Sequence, residues 1–206
     1  MEIFEFGDPA SRNVLIEPIH TVEGMEHEAE LLREMAGGDF CLRAVPVDWY
    51  RDLTPWSAPA ATGDGTFGDG AGKTLEKILK MTGEPGKRYV LGGYSLGGLF
   101  ALWAGYQTDV FSGIAAASPS VWYPGFSDYA ASRMMQAGRV YLSLGDREEK
   151  TRNPVLAAVG GRIRELHGLL SSQGICCTLE WNEGNHFQDP DLRTAKAFAW
   201  VLKGLD

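Results

Sequence analysis

Cysteine is scarce in this chain: Cys41, Cys176 and Cys177 are the three among 206 residues. Two of them are neighbours, which on a strand would point to opposite faces. A disulfide framework is therefore not expected, and a reducing cytoplasm is the expected compartment. Positive charge is also short. Nineteen Lys and Arg stand against 27 Asp and Glu, a formal net charge of -8. That deficit argues against a broad attraction to phosphate backbones or to anionic lipid, so neither nucleic acid nor a membrane is an expected partner. No apolar run reaches membrane-spanning length, and Met1-Glu2-Ile3-Phe4-Glu5-Phe6 lacks the basic and apolar regions of a secretory signal.

What the chain does have is the balance of a soluble domain, 44% hydrophobic and 22% charged, and a single domain over residues 1–206 is expected. Short apolar runs alternate with longer segments of helical period, the pattern of a mainly parallel sheet covered by helices. Six strands are expected, at Val14–Ile19, Phe40–Val47, Tyr89–Gly92, Gly113–Ala117, Val140–Leu144 and Cys176–Trp181. Between them Met25, Ala29, Leu32 and Ala36 share a helical face, as do Leu75, Ile78 and Leu79. Val155, Val159, Ile163, Leu166 and Leu170 form a stripe about five turns long. Leu192, Ala195, Phe198, Leu202 and Leu205 mark the last helix. Asn153-Pro154 and Asp189-Pro190 each offer a cap followed by a first helical residue. The biased stretch Thr62–Gly72 places Asp64 and Asp69 among glycines, but it lacks the order of a calcium loop, and a mobile surface loop is expected there.

The sharpest local signal is Gly92-Gly93-Tyr94-Ser95-Leu96-Gly97-Gly98, preceded by the apolar Tyr89-Val90-Leu91 and followed by Leu99–Ala104. It reads as strand, tight turn and helix, and Gly93–Gly97 fits the nucleophile elbow G-x-S-x-G. Side chains at Gly93 or Gly97 would obstruct the close approach of strand and helix. In such a turn Ser95 is held out at the carboxyl end of the sheet, and the N–H of Leu96, at a helix start, faces a developing oxyanion. A phosphate-binding loop is the competing reading. Neither the Lys-Ser/Thr pair nor the G-x-G-x-x-G spacing that it needs is present.

A serine hydroxyl is a weak nucleophile unless a base takes its proton, so the elbow demands a downstream histidine in a loop. His186 lies directly after the last expected strand and before the last helix, where the order Ser, acid, His requires it. Of the four histidines, His27 and His167 sit within helical patterns. His20 follows the first strand, near where this fold draws a second oxyanion N–H. The acid must follow Val140–Leu144, and Gly145-Asp146-Arg147-Glu148-Glu149-Lys150 offers three carboxylates. Trp122 and Tyr123, after the strand beside the elbow strand, are candidates to wall a substrate pocket. Trp49, Tyr50 and Trp56, after the second strand, are candidates of the same kind.

Taken together, Gly93–Ala101, Ala117-Ser118-Pro119-Ser120-Val121-Trp122-Tyr123, Leu144–Glu148 and Gly184-Asn185-His186 resemble the esterase D and enterochelin-esterase-like branch of the α/β hydrolases, over roughly Val14 to the C-terminus. The resemblance implies hydrolysis of a small-molecule carboxylic ester through an acyl-enzyme, with Ser95 and His186 in the matching roles and no metal or organic cofactor. It further implies Glu148 as the acid, because in related thiol-ester hydrolases the acid stands three residues after the glycine that ends the strand, and Gly145 is that glycine. On that reading Asp146 tightens the turn and Glu149 is a solvated charge; Asp146 as the acid, and a Ser-His dyad or Glu149, are the alternatives. The pattern departs from the family where Ile19-His20-Thr21 replaces the usual His-Gly pair. An N-terminal antiparallel hairpin is not expected, and little sequence is left for a lid. The resulting expectation is an α/β-hydrolase fold with helices on both faces of a six-stranded sheet, a minimal lid and a preference for compact acyl groups. An acyltransferase using the same residues and a catalytically silent binding protein are the rivals.

Overall fold

The computed structural model describes residues 2–205. Its main sheet has seven strands: β1 (Phe4–Gly7), β2 (Asn13–Ile19), β3 (Cys41–Pro46), β6 (Arg88–Tyr94), β7 (Phe111–Ala117), β8 (Arg139–Gly145) and β9 (Cys176–Asn182), in the order β1-β3-β2-β6-β7-β8-β9. β4 (Ala58–Pro59) and β5 (Thr66–Phe67) form a separate two-stranded ribbon. All six expected strands are present, each within two residues of the expected bounds. The seventh is a correction. β1 pairs antiparallel with β3, so the sheet does carry an antiparallel N-terminal edge. Phe4 and Phe6 pack on the core from alternate positions while Glu5 pairs with Arg43 across the strands, a half-buried edge that four residues are too few to announce.

The inner strands are buried along their length because helices cover both faces. Leu15, Ile19, Leu42, Val90, Ala115 and Tyr141 point to one side, against α1 (Met25–Ala36) and α7 (Pro190–Leu202). Val14, Ile16, Leu91, Ile114, Val140 and Leu142 point to the other, against α2 (Ala71–Leu79), α3 (Leu96–Gly105) and α6 (Val159–Ser172). α4 (Phe126–Ala131) and the single turn α5 (Pro154–Ala157) complete the helices. The helix expected from the Val155–Leu170 stripe is thus two pieces, α5 and α6. Asn153 caps the first by accepting from the N–H groups of Val155 and Leu156. Asp189 precedes Pro190 as expected but makes no side-chain cap, its backbone being left-handed at φ 50°.

Strand order reverses between β2 and β6, since the chain moves outward to β3 before crossing to β6 and onward. That places a crevice at the carboxyl ends of β2 and β6. The excursion from 47 to 70 folds back over this end. The expected mobile loop is partly ordered there, with Thr66–Phe67 in the ribbon and Ala71 opening α2. Among the described residues no helix is long and apolar enough to cross a membrane.

One buried feature runs against simple patterning. Period two puts Glu17 of β2 on the α1/α7 face with Leu15 and Ile19, and there it meets Glu28 of α1, both side chains shut away from water. Among the described residues, one oxygen of each has no hydrogen-bond partner. Desolvation raises the Glu17 carboxyl to about 7, against the hydrogen bond from Glu28, and desolvation and the Glu17 charge raise Glu28 as well. The folded protein therefore holds protons that the unfolded chain releases above its ordinary value of 4.5, and stability falls as pH rises from there through about 7. Glu17→Gln should remove part of this slope. Urea denaturation is expected to find the variant within error of the parent near pH 4 and more stable by about 1–2 kcal/mol near pH 8. A parent that gains stability relative to the variant over that range would contradict the assignment.

Candidate active site

The site is assembled from the ends of β6, β7, β8 and β9. β6 runs through Gly93, whose φ of 154° and distance of 3.1 Å from a would-be Cβ to the carbonyl carbon of Gly97 leave room for no side chain. The strand then turns at Ser95, with φ 53° and ψ -114°, directly into α3. Such a conformation costs on the order of 1–3 kcal/mol for a residue with a side chain. It is held by backbone hydrogen bonds from Ser95 N–H to the Ala117 carbonyl and from the Ser120 N–H to the Ser95 carbonyl, at 3.1 and 3.0 Å. Crowding at Gly97 is milder than expected: a Cβ there would touch the Trp49 ring at 3.4 Å. Gly98 is the tighter position, 3.0 Å from the Gly93 carbonyl oxygen.

Ser95 Oγ lies 3.0 Å from Nε2 of His186, whose Nδ1 lies 2.7 Å from Oε2 of Glu148. The histidine is held from behind by Tyr94, whose hydroxyl donates to the His186 carbonyl at 2.8 Å and whose ring lies tilted against the imidazole, with centroids 5.2 Å apart. Of the three carboxylates after β8, Glu148 alone reaches the histidine. Asp146 instead accepts the N–H of Gly184 at 2.8 Å, tying the β8 turn to the loop that carries His186. Glu149, expected as a solvated charge, is partly exposed and bonds Arg164 through both oxygens.

Glu148 is buried, and its second oxygen is fully engaged. Oε1 accepts from the Gly145 N–H at 2.7 Å, the Ser118 hydroxyl at 2.8 Å and Arg193 Nη1 at 2.9 Å. Burial opposes ionisation, but the hydrogen bond and charge of His186, the Gly145 N–H and the Ser118 hydroxyl outweigh it and hold the carboxyl below its ordinary value. Glu148 is thereby an anion throughout the neutral range. An anion there fixes the histidine with Nδ1 protonated and Nε2 free to accept the serine proton.

Arg193 and Ser118 escaped the sequence reading. Arg193 is 1% exposed and its Nη2 also donates to the carbonyls of Glu183 and Asn185. Its signal was its place on α7 four and eight residues before the buried Ala197 and Val201, an apolar stripe with one cation in it. Ser118 lies in a segment that carries the family resemblance but was given no role there; its hydroxyl is aimed by a left-handed turn at φ 41°. Ser120, whose Oγ lies 3.2 Å from that of Ser95, was also missed.

Two cavities meet at the site. One, of about 600 Å³, contains Ser95 and Leu96 and is walled by Trp49, Tyr50, Phe67 and Trp122. The other, of about 420 Å³, lies beyond His186 and is walled by Pro119, Trp122, Leu156 and Val159. Trp122 therefore borders both cavities, half-buried between the two. Tyr123 and Trp56 do not. Tyr123 is fully buried with its hydroxyl on the Trp56 carbonyl, and the Trp56 indole N–H donates to the Pro124 carbonyl at 2.8 Å. Both residues pin the 47–70 excursion to the β7–α4 connection instead of lining the crevice. His20 is exposed, its ring edge-on to Trp49 at 6.3 Å.

No protein-family model matches the chain, and no curated protein matches it in sequence. Among solved structures it is similar to an IroE-like serine hydrolase from Shewanella oneidensis, with TM-score 0.77 and 17% identity over 98% of this chain and 75% of that one. It is similar to the siderophore hydrolase EstA from Aspergillus nidulans, with TM-score 0.62 and 23% identity over 97% and 84%. A third likeness is to the enterobactin esterase of Shigella flexneri, with TM-score 0.66 and 15% identity over 99% of this chain and 56% of that one. What is shared at these identities is the α/β-hydrolase fold, on a chain little more than half the length of the last.

The structure makes Arg193 the support of Glu148. Removing it leaves a buried carboxylate short of its cation, and Arg193→Met is expected to destabilise by about 3 kcal/mol. The exposed pair offers the control: Arg164→Met should cost less than about 1 kcal/mol. Denaturant midpoints of the two variants at pH 7 check this, and equal losses would contradict it.

Proposed function

We propose that the chain is a serine esterase that cleaves carboxylic esters through an acyl-enzyme. The observation that carries this reading is the unbroken hydrogen-bond chain from Ser95 Oγ through His186 to a buried, ionised Glu148, set on a strained strand-to-helix turn. In the proposed cycle Ser95 Oγ attacks the ester carbonyl as His186 Nε2 takes its proton. The carbonyl π bond opens to an oxyanion, which the N–H of Leu96 receives. As an N-terminal residue of α3 it has no acceptor within its own helix. The backbone N–H of His20, across the crevice at the end of β2, is the proposed second donor. The C–O bond to the alcohol then breaks, and His186 returns the proton to the leaving oxygen. Water repeats the sequence on the acyl-serine, giving the acid and free Ser95. Glu148 touches neither substrate nor proton in flight; it orients His186 and stabilises its cationic form.

Structural likeness to a serine hydrolase, a siderophore hydrolase and an enterobactin esterase supports the same reaction class. The open crevice gives water access to the acyl-serine, which favours hydrolysis over transfer to a second acceptor. The steps are tested with 4-nitrophenyl acetate. Ser95→Ala and His186→Ala should each lower kcat/KM by roughly a thousandfold or more, and the double variant should be no worse than either, since the residues act as a unit. Glu148→Gln should lose roughly a hundredfold or more, with Asp146→Asn staying within a few-fold. Additive losses in the double variant, or a loss confined to Asp146→Asn, would contradict the assignment.

A further inference from the structure

The cavity beyond His186 is lined by two cations, Arg147 and Lys150. Both are exposed. Among the described residues neither side chain forms an ion pair or a hydrogen bond. The acidic groups around them are committed elsewhere: Glu148 to His186 and Arg193, Asp146 to the Gly184 N–H, and Glu149, whose carboxyl also feels Lys150, to Arg164 through both oxygens. Two unpaired cations at the rim of an apolar cavity, on a chain of net charge -8, are an exception to the overall field. A local positive mouth concentrates and orients an anion that the rest of the surface repels.

The position of this cavity says which half of an ester enters it. The acyl carbon must sit over Ser95 Oγ with its oxygen at the Leu96 N–H, and both residues line the larger cavity, not this one. The leaving oxygen must lie within reach of His186 Nε2, and His186 is shared by the two. The alcohol portion is thus directed past His186, over Trp122 and Leu156, toward Arg147 and Lys150. On the strength of the esterase reading above, we propose that the preferred substrates are esters of an anionic alcohol, a hydroxy-carboxylate or a hydroxyl compound bearing phosphate, whose negative group is held by Arg147 and Lys150.

The test uses 4-acetoxyphenylacetate and its neutral isostere 4-acetoxyphenylacetamide, which share an acyl group and differ in one charge on the leaving phenol. The expected result is a kcat/KM ratio of about tenfold in favour of the anion at low ionic strength, falling toward unity in half-molar salt. In Arg147→Glu/Lys150→Glu the ratio should invert. Both side chains are exposed and the Arg147 turn is held by its backbone N–H on the Gly184 carbonyl, so the fold tolerates the change. Any disturbance of Glu148 lowers both substrates alike, leaving the ratio as the readout. Moving the charge to the acyl side, with 4-nitrophenyl hemisuccinate against 4-nitrophenyl butyrate, should give no such advantage. A ratio near unity that the double substitution does not move overturns the proposal, as does an equal advantage for the acyl-side anion. No turnover of either acetoxy ester or of 4-nitrophenyl acetate would overturn the esterase reading itself, and this proposal with it.

Discussion

The contact on which the site depends is the buried pairing of Glu148 with Arg193. A carboxylate taken out of water is costly unless its lone pairs are met. Here one oxygen collects a backbone N–H, a hydroxyl and a guanidinium, which leaves the other free to hold the imidazole. Arg193 does more than balance charge. It stands at the first turn of α7 and grips the carbonyls on both sides of Gly184, so the loop that presents His186 is clamped between β9 and α7. Gly145 belongs to the same constraint. A Cβ there would lie 2.4 Å from the Gly184 carbonyl oxygen and 3.0 Å from the guanidinium. β8, the acid, the arginine and the histidine loop are therefore one packed unit.

The serine side is built against that unit by backbone strain. Ser95 and Ser118 end adjacent parallel strands, both with positive φ, and both turn their hydroxyls toward the site. The two halves meet at the 3.0 Å contact between Ser95 and His186, at the Ser118 hydroxyl, which bonds both Glu148 and Arg193, and at the Tyr94 hydroxyl, which donates to the His186 carbonyl. The stability taken up by the strained turns is offset by the dry core beneath them. α3 is buried along its whole length behind the elbow, and packing of that kind is worth about 25 cal/mol for each Å² of apolar surface removed from water.

Much of this was legible because the strongest physical signals are local. The elbow shows itself in seven consecutive residues, and β2, β6, β7 and β8 announce themselves as apolar runs because parallel strands are buried on both faces. His186 follows from order along the chain. What was not legible depends on partners distant in sequence. Nothing near Arg193 says that Glu148, 45 residues earlier, awaits it. Tyr123 and Trp56 look like pocket aromatics by position and are packing residues in fact, since which way a side chain faces after a strand ends is decided by the turn and not by period. The β1 edge and the break between α5 and α6 were hidden for another reason. Each is shorter than the window over which hydrophobic periodicity can be read.

The measurement that bears most directly on the central claim is peptide mapping of the protein after reaction with a fluorophosphonate, which phosphonylates an activated serine and leaves ordinary hydroxyls alone. The account predicts a single adduct on Ser95 in the parent chain, and none at the same exposure in His186→Ala, where the hydroxyl remains but its base is gone. An adduct on another serine, or equal modification of Ser95 with and without His186, would contradict it.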